Sequence, residues 1–300
     1  MRTEQVVIIG AGPAGCAAAV QCARLGVKPS LLDRTGRPGG LLANAWSVEN
    51  YPGIEPTDGR GMVIHLKGFL DRFDIRIERN SVDGISTDGG HYLVGTDGGD
   101  ILARAVIVAT GTRPILLDVP GAEDLQEKKL WYEITGLLER EPEPGHIAVV
   151  GAGEAALDYS LSLVGAGGPV TLLVRGAALR ACRRLIEAVE ASQTITPLFG
   201  IEVERLESTE GGVSVRFSRA DERNTLDCDG VVVAIGREPA TTDLLKDFQV
   251  EQRVSIHTSY CGLFITGDAR LGALGQAGIA VGDGLEAAMA AVSVVEKGRM

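Results

Sequence analysis

Val6-Val-Ile-Ile-Gly-Ala-Gly-Pro-Ala-Gly15 decides the fold of this chain. Four β-branched apolar residues, Val6 to Ile9, suit a parallel strand buried on both faces. They feed straight into Gly10-x-Gly12-x-x-Gly15, where Gly10 permits a tight turn and Gly12 lets a pyrophosphate approach the backbone. Pro13 opens a helix at a position whose N–H has no partner anyway, and Ala14, Ala17, Ala18 and Ala19 let that helix lie close to a sheet. Gly26 is placed to end the helix, and a second strand, Val27 to Leu32, delivers Asp33 eighteen residues after Gly15, where a carboxylate can accept ribose hydroxyls. Strand, glycine turn, helix, strand and acid form a complete dinucleotide-binding unit.

The pattern recurs. Ile147-Ala-Val-Val150 leads into Gly151-Ala-Gly153-Glu154-Ala155-Ala156, a helix to about Val164, a glycine-rich turn at Gly165 to Gly168 and a strand, Val170 to Val174. The position equivalent to Asp33 is Val174, followed by Arg175. No carboxylate claims a 2′-hydroxyl there. Arg175, with Arg180, Arg183 and Arg184 nearby, suits a 2′-phosphate instead, so NADPH is favoured over NADH. The plainer alternative leaves Arg180 to Arg184 on a solvated helix face.

Ala105-Val-Ile-Val-Ala-Thr110-Gly111-Thr-Arg-Pro114 and Gly230-Val-Val-Val-Ala-Ile-Gly-Arg-Glu-Pro239 share one form, a buried strand closing on a glycine turn and a proline. Such sites suit crossings between domains. The predicted fold is α/β with two Rossmann-like domains. A discontinuous domain spans 1–113 and 239–300, and a second domain, 114–238, is inserted into it. In the closing segment, Gly262-Leu-Phe-Ile-Thr-Gly267-Asp268 predicts a strand ending in a carboxylate suited to a polyol chain, then a small-residue helix from about Gly275 through Met289.

The 300 residues carry a formal net charge of −11, which argues against a nucleic-acid backbone or an anionic membrane as partner. No apolar run is expected to span a bilayer, and the N-terminus enters a strand directly, so a cytoplasmic protein is expected. The five cysteines, Cys16, Cys22, Cys182, Cys228 and Cys261, include no C-x-x-C and define neither a disulfide framework nor a zinc site. His65, His91, His146 and His257 are scattered, and no metal site is expected.

With these motifs in order, the chain resembles the low-molecular-weight thioredoxin reductase family of FAD- and NAD(P)H-dependent oxidoreductases over nearly its full length. Gly10 to Gly15 is similar to that family's FAD pyrophosphate turn. Gly39-Gly40-Leu41-Leu42 and Val48-Glu49-Asn50-Tyr51-Pro-Gly53 are similar to its flavin-wrapping segment, and Gly267-Asp268 with Gln276-Ala277 to its closing FAD motif. The resemblance implies that FAD is held by Gly10, Gly12, Pro13, Ala14, Gly15, Asp33, Arg34, Gly40, Leu41, Leu42, Asn50, Val82, Thr110, Gly111, Gly267, Asp268, Gln276 and Ala277. It implies NADPH, or NADH, at Gly151, Gly153, Glu154, Ala155, Arg175 and Arg180. Asp268 would hold the ribityl chain, with the helix near Gln276 aimed at the flavin O2 edge. Trp46, Tyr51, Trp131 and Tyr132 are the aromatics expected nearest the flavin. The resemblance also implies a homodimer, to which the apolar face of Leu285 to Val295 could contribute.

One departure outweighs the rest. Aligned on Gly136, the family's C-x-x-C-D-G becomes Trp131-Tyr-Glu-Ile-Thr-Gly136, so Trp131 and Ile134 replace both cysteines and Thr135 the acid. Dithiol exchange needs an attacking thiolate, and no cysteine lies between Cys22 and Cys182. Electrons are therefore expected to pass from NAD(P)H through flavin to an external acceptor, with no catalytic side chain assigned. A ferredoxin or flavodoxin NADP reductase, a flavin-dependent thiol oxidase and a non-catalytic flavin-binding subunit with a vestigial nicotinamide site are the alternatives.

Overall fold

The computed structural model describes residues 1–220, 222–250, 255–272 and 275–297. In chain order the first elements are β1 (Arg2–Ile9), α1 (Pro13–Arg24), β2 (Ser30–Asp33), a 3₁₀ turn (Gly40–Asn44), α2 (Gly59–Asp71), β3 (Ile77–Arg79), β4 (Val82–Asp88), β5 (His91–Thr96), β6 (Ile101–Val108) and β7 (Thr112–Pro114). There follow α3 (Ala122–Leu125), β8 (Leu130–Trp131), α4 (Ile134–Arg140), β9 (Ile147–Gly151), α5 (Glu154–Gly165), β10 (Val170–Val174), α6 (Arg183–Ala191) and β11 (Ile195–Phe199). The last are β12 (Ile201–Ser208), β13 (Val213–Arg219), β14 (Glu222–Cys228), β15 (Gly230–Ala234), β16 (Arg237–Pro239), β17 (Leu263–Ile265), α7 (Asp268–Leu271) and α8 (Ala277–Lys297).

The chain divides into two compact units, one of residues 1–43, 48–113 and 237–300, the other of 44–47 and 114–236. Residues 44–47 thus belong with the second unit, although the sequence places them in the first.

In the first unit the strand order is β3-β2-β1-β6-β5-β4, with β17 pairing the far half of β6. Strands β1, β2, β3, β6 and β17 run parallel, whereas β4 and β5 are antiparallel additions. Val6 and Ile8 pack with α1 and α8 on one face, and Val7 and Ile9 pack with Val106, Val108, Leu263 and Ile265 on the other. This two-sided burial is why Val6 to Ile9 is a continuous apolar run, each side chain contributing about 1.5–3 kcal/mol. Strand β2 begins only at Ser30 rather than Val27, because Pro29 has no N–H to offer a ladder. Gly26 adopts φ +80° just beyond α1 and ends it as expected.

Helix α8 begins at Ala277 and runs eight residues past Met289. By length and composition it could cross a bilayer, which corrects the expectation that no segment approaches that length. Ala287, Ala288, Ala291, Val292 and Val295 are instead buried in the core shared with α1. The Leu285 to Val295 face offered for a dimer is thus committed largely to its own unit.

The second unit repeats the plan with a parallel sheet in the order β11-β10-β9-β15-β8, beside an antiparallel sheet β12-β13-β14. Ile147 and Val149 pack with α5, while Ala148 and Val150 face Val215, Phe217 and Leu206 on the other side.

Candidate functional site

Three glycines share the first turn but not the same surroundings. A Cβ on Gly10, where φ is +103°, would overlap the Ala109 carbonyl, and one on Gly15 would overlap the Gly10 carbonyl. Gly12 has no such neighbour: nothing lies within 4 Å of its added Cβ. It is the residue before α1 and makes no side-chain cap, so the first-turn N–H groups stay available to an anion. Pro13 and Ala14 continue from it into the helix.

Around this open edge the chain builds a cradle. Gly39 N–H donates to the Ala11 carbonyl at 2.9 Å, and a Cβ on Gly40 would stand 3.2 Å from Gly12 Cα. Leu42 then packs on the core while its N–H donates to the Gly39 carbonyl. Asp33, at the end of β2, accepts the Ala11 N–H through Oδ2 at 3.0 Å, and the Thr35 N–H and hydroxyl through Oδ1 at 2.8 and 2.6 Å. Arg34 follows it and Val82 opens β4.

The closing segment gathers further residues named from the sequence. Asn50 Nδ2 donates to Gln276 Oε1 at 2.9 Å, tying segment 48–53 to the residue before Ala277 and α8. Thr110 hydroxyl donates to the Ala240 carbonyl, and the Gly111 carbonyl accepts the Ala240 N–H. Asp268 follows Gly267 at the start of α7. Gly275 packs so tightly that a Cβ there would overlap the Asp268 carboxylate. Burial pushes the Asp268 pKa up, with Arg237 opposing the shift.

The second turn has the same design. A Cβ on Gly151 would overlap the Ala234 carbonyl, as Gly10 meets Ala109, and would stand 2.9 Å from the Ala156 Cβ. Gly153 is open, its nearest neighbour the Arg180 carbonyl at 3.9 Å. Glu154 and Ala155 form the first turn of α5. Arg180 is held beside the turn because its N–H donates to the Ala152 carbonyl at 2.7 Å. Arg175 is exposed at the end of β10 and makes no ion pair among the described residues. Arg183 pairs with Glu187 at 2.6 Å on a solvated helix face, the plainer of its two expected roles.

A match to the pyridine nucleotide-disulphide oxidoreductase model spans residues 4–293, nearly the whole of this two-unit arrangement. The chain belongs to that family. Within the family it is similar to a Mycolicibacterium smegmatis thioredoxin reductase, 32% identical over 305 aligned residues covering 96% of this chain and 97% of the relative. Its fold matches Lactococcus lactis thioredoxin reductase in the FR conformation with a TM-score of 0.87 at 27% identity, covering 98% of this chain and 99% of that one. It matches T. acidophilum thioredoxin reductase with a TM-score of 0.85 at 26% identity over the full length of both chains.

The segment where the resemblance places a cysteine pair lies in the second unit. Trp131 and Ile134 are 6% and 3% exposed and belong to the core that α5 covers. Tyr132 packs in the opposite core, where its hydroxyl oxygen accepts the Leu117 N–H, and Trp46 packs against the same core as Trp131. These three rings fill space in the second unit; of the four aromatics expected near a flavin, Tyr51 alone lies in the first unit. Cys16 and Cys22 are fully buried, with burial pushing both thiols up to about 12, and Cys228 is raised to about 11. Cys182 and Cys261 are exposed.

Sequence reasoning missed the polar network beneath this segment. Asn44 Nδ2 donates to Glu133 Oε2 at 2.8 Å and its Oδ1 accepts the Thr135 N–H at 3.1 Å. Tyr159 hydroxyl reaches the same Glu133 oxygen at 2.9 Å, and Asp158 Oδ1 accepts the Trp46 N–H at 2.9 Å. The available signal was spacing: Asp158 and Tyr159 lie four and five residues after Glu154, one turn further along α5.

Proposed function

We propose that this protein is an FAD-dependent NAD(P)H oxidoreductase that hands electrons to an acceptor outside its own chain. The observation that carries this reading is a contrast: both glycine turns keep an open second glycine, whereas the positions of the family's dithiol are occupied by core side chains.

In this reading Gly12, Pro13, Ala14 and the helix terminus behind them bind the FAD pyrophosphate, with Gly10 and Gly15 closing the turn. Asp33 and Arg34 take the adenosine ribose end, with Val82 beside it. Gly40, Leu41 and Leu42 shape the wall opposite Gly12. Asp268 holds the ribityl hydroxyls, while Asn50, Thr110, Gly111, Gly267, Gln276 and Ala277 fix the isoalloxazine end. Bound flavin supplies the capacity to accept a hydride from nicotinamide and return electrons to an acceptor. The start of α8 offers backbone N–H groups that favour negative charge on the reduced ring.

Gly151, Gly153, Glu154 and Ala155 receive the nicotinamide dinucleotide. Arg175 and Arg180 suit a 2′-phosphate, hence NADPH before NADH. Cys16, next to the first glycine turn, is buried with its thiol pushed up to about 12 and does not serve mixed-disulfide exchange in this reading.

Steady-state NADPH oxidation against thioredoxin, low-molecular-weight disulfides, quinones and one-electron carriers tests the reading. Turnover with at least one acceptor other than thioredoxin is expected. Thioredoxin reduction by the purified chain alone, or no nucleotide oxidation with any acceptor, contradicts it.

A further inference from the structure

Two segments from opposite ends of the chain meet on α8. A Cβ on Gly284 would overlap the Ala14 carbonyl in the first turn of α1, and one on Gly267 would stand 3.0 Å from the Ala14 Cβ and 3.3 Å from the Ala280 Cβ. The glycine turn after β1 and the Gly267-Asp268 turn are thus backed by one stretch of helix, 280–284. A charge stands at that junction. Asp283, buried beside Gly284, accepts the Gly267 N–H through Oδ2 at 3.0 Å. Arg270 donates to the same oxygen through Nε at 3.0 Å and to Oδ1 through Nη2 at 2.8 Å, while its backbone N–H donates to the Gly267 carbonyl at 2.9 Å. Gly267, Arg270 and Asp283 therefore close a ring of hydrogen bonds that engages both backbone polar groups of Gly267.

Stability does not explain the charges. A buried ion pair gives little or nothing over an apolar pair of similar volume. Apolar side chains, however, cannot accept the Gly267 N–H. Gly267 adopts φ +60° and ψ −144°, a region that favours glycine, and glycine loses more freedom on being fixed than any other residue. Such a turn needs an acceptor to hold it, and the next residue is Asp268.

We propose that Asp283 is a positioning residue for FAD: it pins Gly267 and thereby fixes where Asp268 presents its carboxylate, with Arg270 aiming Asp283. The inference rests on the proposed function, which gives the ribityl hydroxyls to Asp268. Asp283 acts through Gly267, not by contact with the ligand.

Two double variants separate the acceptor from the charges. Arg270→Met/Asp283→Asn removes the ion pair but keeps an oxygen for the Gly267 N–H, whereas Arg270→Met/Asp283→Leu removes both. FAD titration of the flavin-free full-length chains, followed by fluorescence quenching, should place the asparagine variant within about threefold of the unsubstituted protein and the leucine variant about tenfold or more weaker, the worth of one hydrogen bond to a charged group. Hydrogen–deuterium exchange of the flavin-free chains should show the Gly267 amide exchanging about tenfold faster in the leucine variant than in the asparagine variant. Arg270→Met/Asp283→Ala, read the same way, replaces the leucine variant should that chain not fold. Equal FAD affinity in the two variants overturns the inference, as does equal exchange at Gly267. An unsubstituted chain that binds no FAD fails the proposed function and the inference together; one that binds FAD while the two variants match each other fails the inference alone.

Discussion

Asp33 Oδ2 accepts the Ala11 N–H at 3.0 Å, so the acid at the end of β2 fastens the glycine turn at the end of β1. Its other oxygen holds Thr35. The carboxylate therefore shapes the turn and still has lone pairs for a ribose. Asp33→Ala should weaken FAD binding by roughly 10- to 100-fold, the worth of one or two hydrogen bonds to a charged group. Asp33→Asn, which retains one acceptor oxygen, should lose less. FAD titration of the apoprotein by fluorescence quenching measures both.

The two glycine classes should separate under substitution. Gly10→Ala meets both a positive φ and the Ala109 carbonyl, and should destabilise the fold by more than about 2 kcal/mol. Gly12→Val projects into open space and should leave stability within about 1 kcal/mol while abolishing FAD retention. Urea denaturation of the apoproteins, paired with flavin content after purification, tests the contrast. Gly12→Val that retained full flavin would remove this turn from the binding site.

Arg270 and Asp283 form a bidentate pair, 14% and 9% exposed, and Asp283 also accepts the Gly267 N–H at 3.0 Å. Removing the cation strands a buried carboxylate. Arg270→Met should cost roughly 3–5 kcal/mol, and the double change with Asp283→Leu considerably less, because both charges then go together. Chemical denaturation of the two variants is the check.

Asp158 links pH to global stability. Its native pKa, about 6, lies above the ordinary carboxylate value, so the native state holds a proton the unfolded chain releases. This contribution falls as pH rises through the window between the two values and is fully lost above about pH 7. The advantage of Asp158→Asn over the unsubstituted protein, measured by urea denaturation, should grow by about 1 kcal/mol between pH 5 and pH 8.

The sequence is legible where one residue type has one physical use. Gly10, Gly12 and Gly15 sit in a strand-to-helix turn whose backbone geometry demands them, and the repeat at Gly151 and Gly153 could be found the same way. Trp131 and Ile134 could be read as departures from a dithiol, but not as core residues, because aromatic and aliphatic side chains suit a flavin wall and a hydrophobic core equally. The contacts of residues 44–47 were invisible for another reason: they join Asn44 to Glu133 and Trp46 to Asp158 across 89 and 112 residues, and no local pattern encodes such pairs. Helix α8 was undersized because the sequence reading stopped at Met289, although the helix formers run on to Lys297.

Anaerobic titration of the FAD-loaded protein with NADPH, following flavin absorbance and counting thiols before and after, tests the central claim most directly. Complete bleaching at one equivalent with no new thiols is predicted, since flavin is then the sole two-electron store. Flavin that stays oxidised with both NADPH and NADH, or bleaching that needs a second equivalent and yields two new thiols, would contradict it.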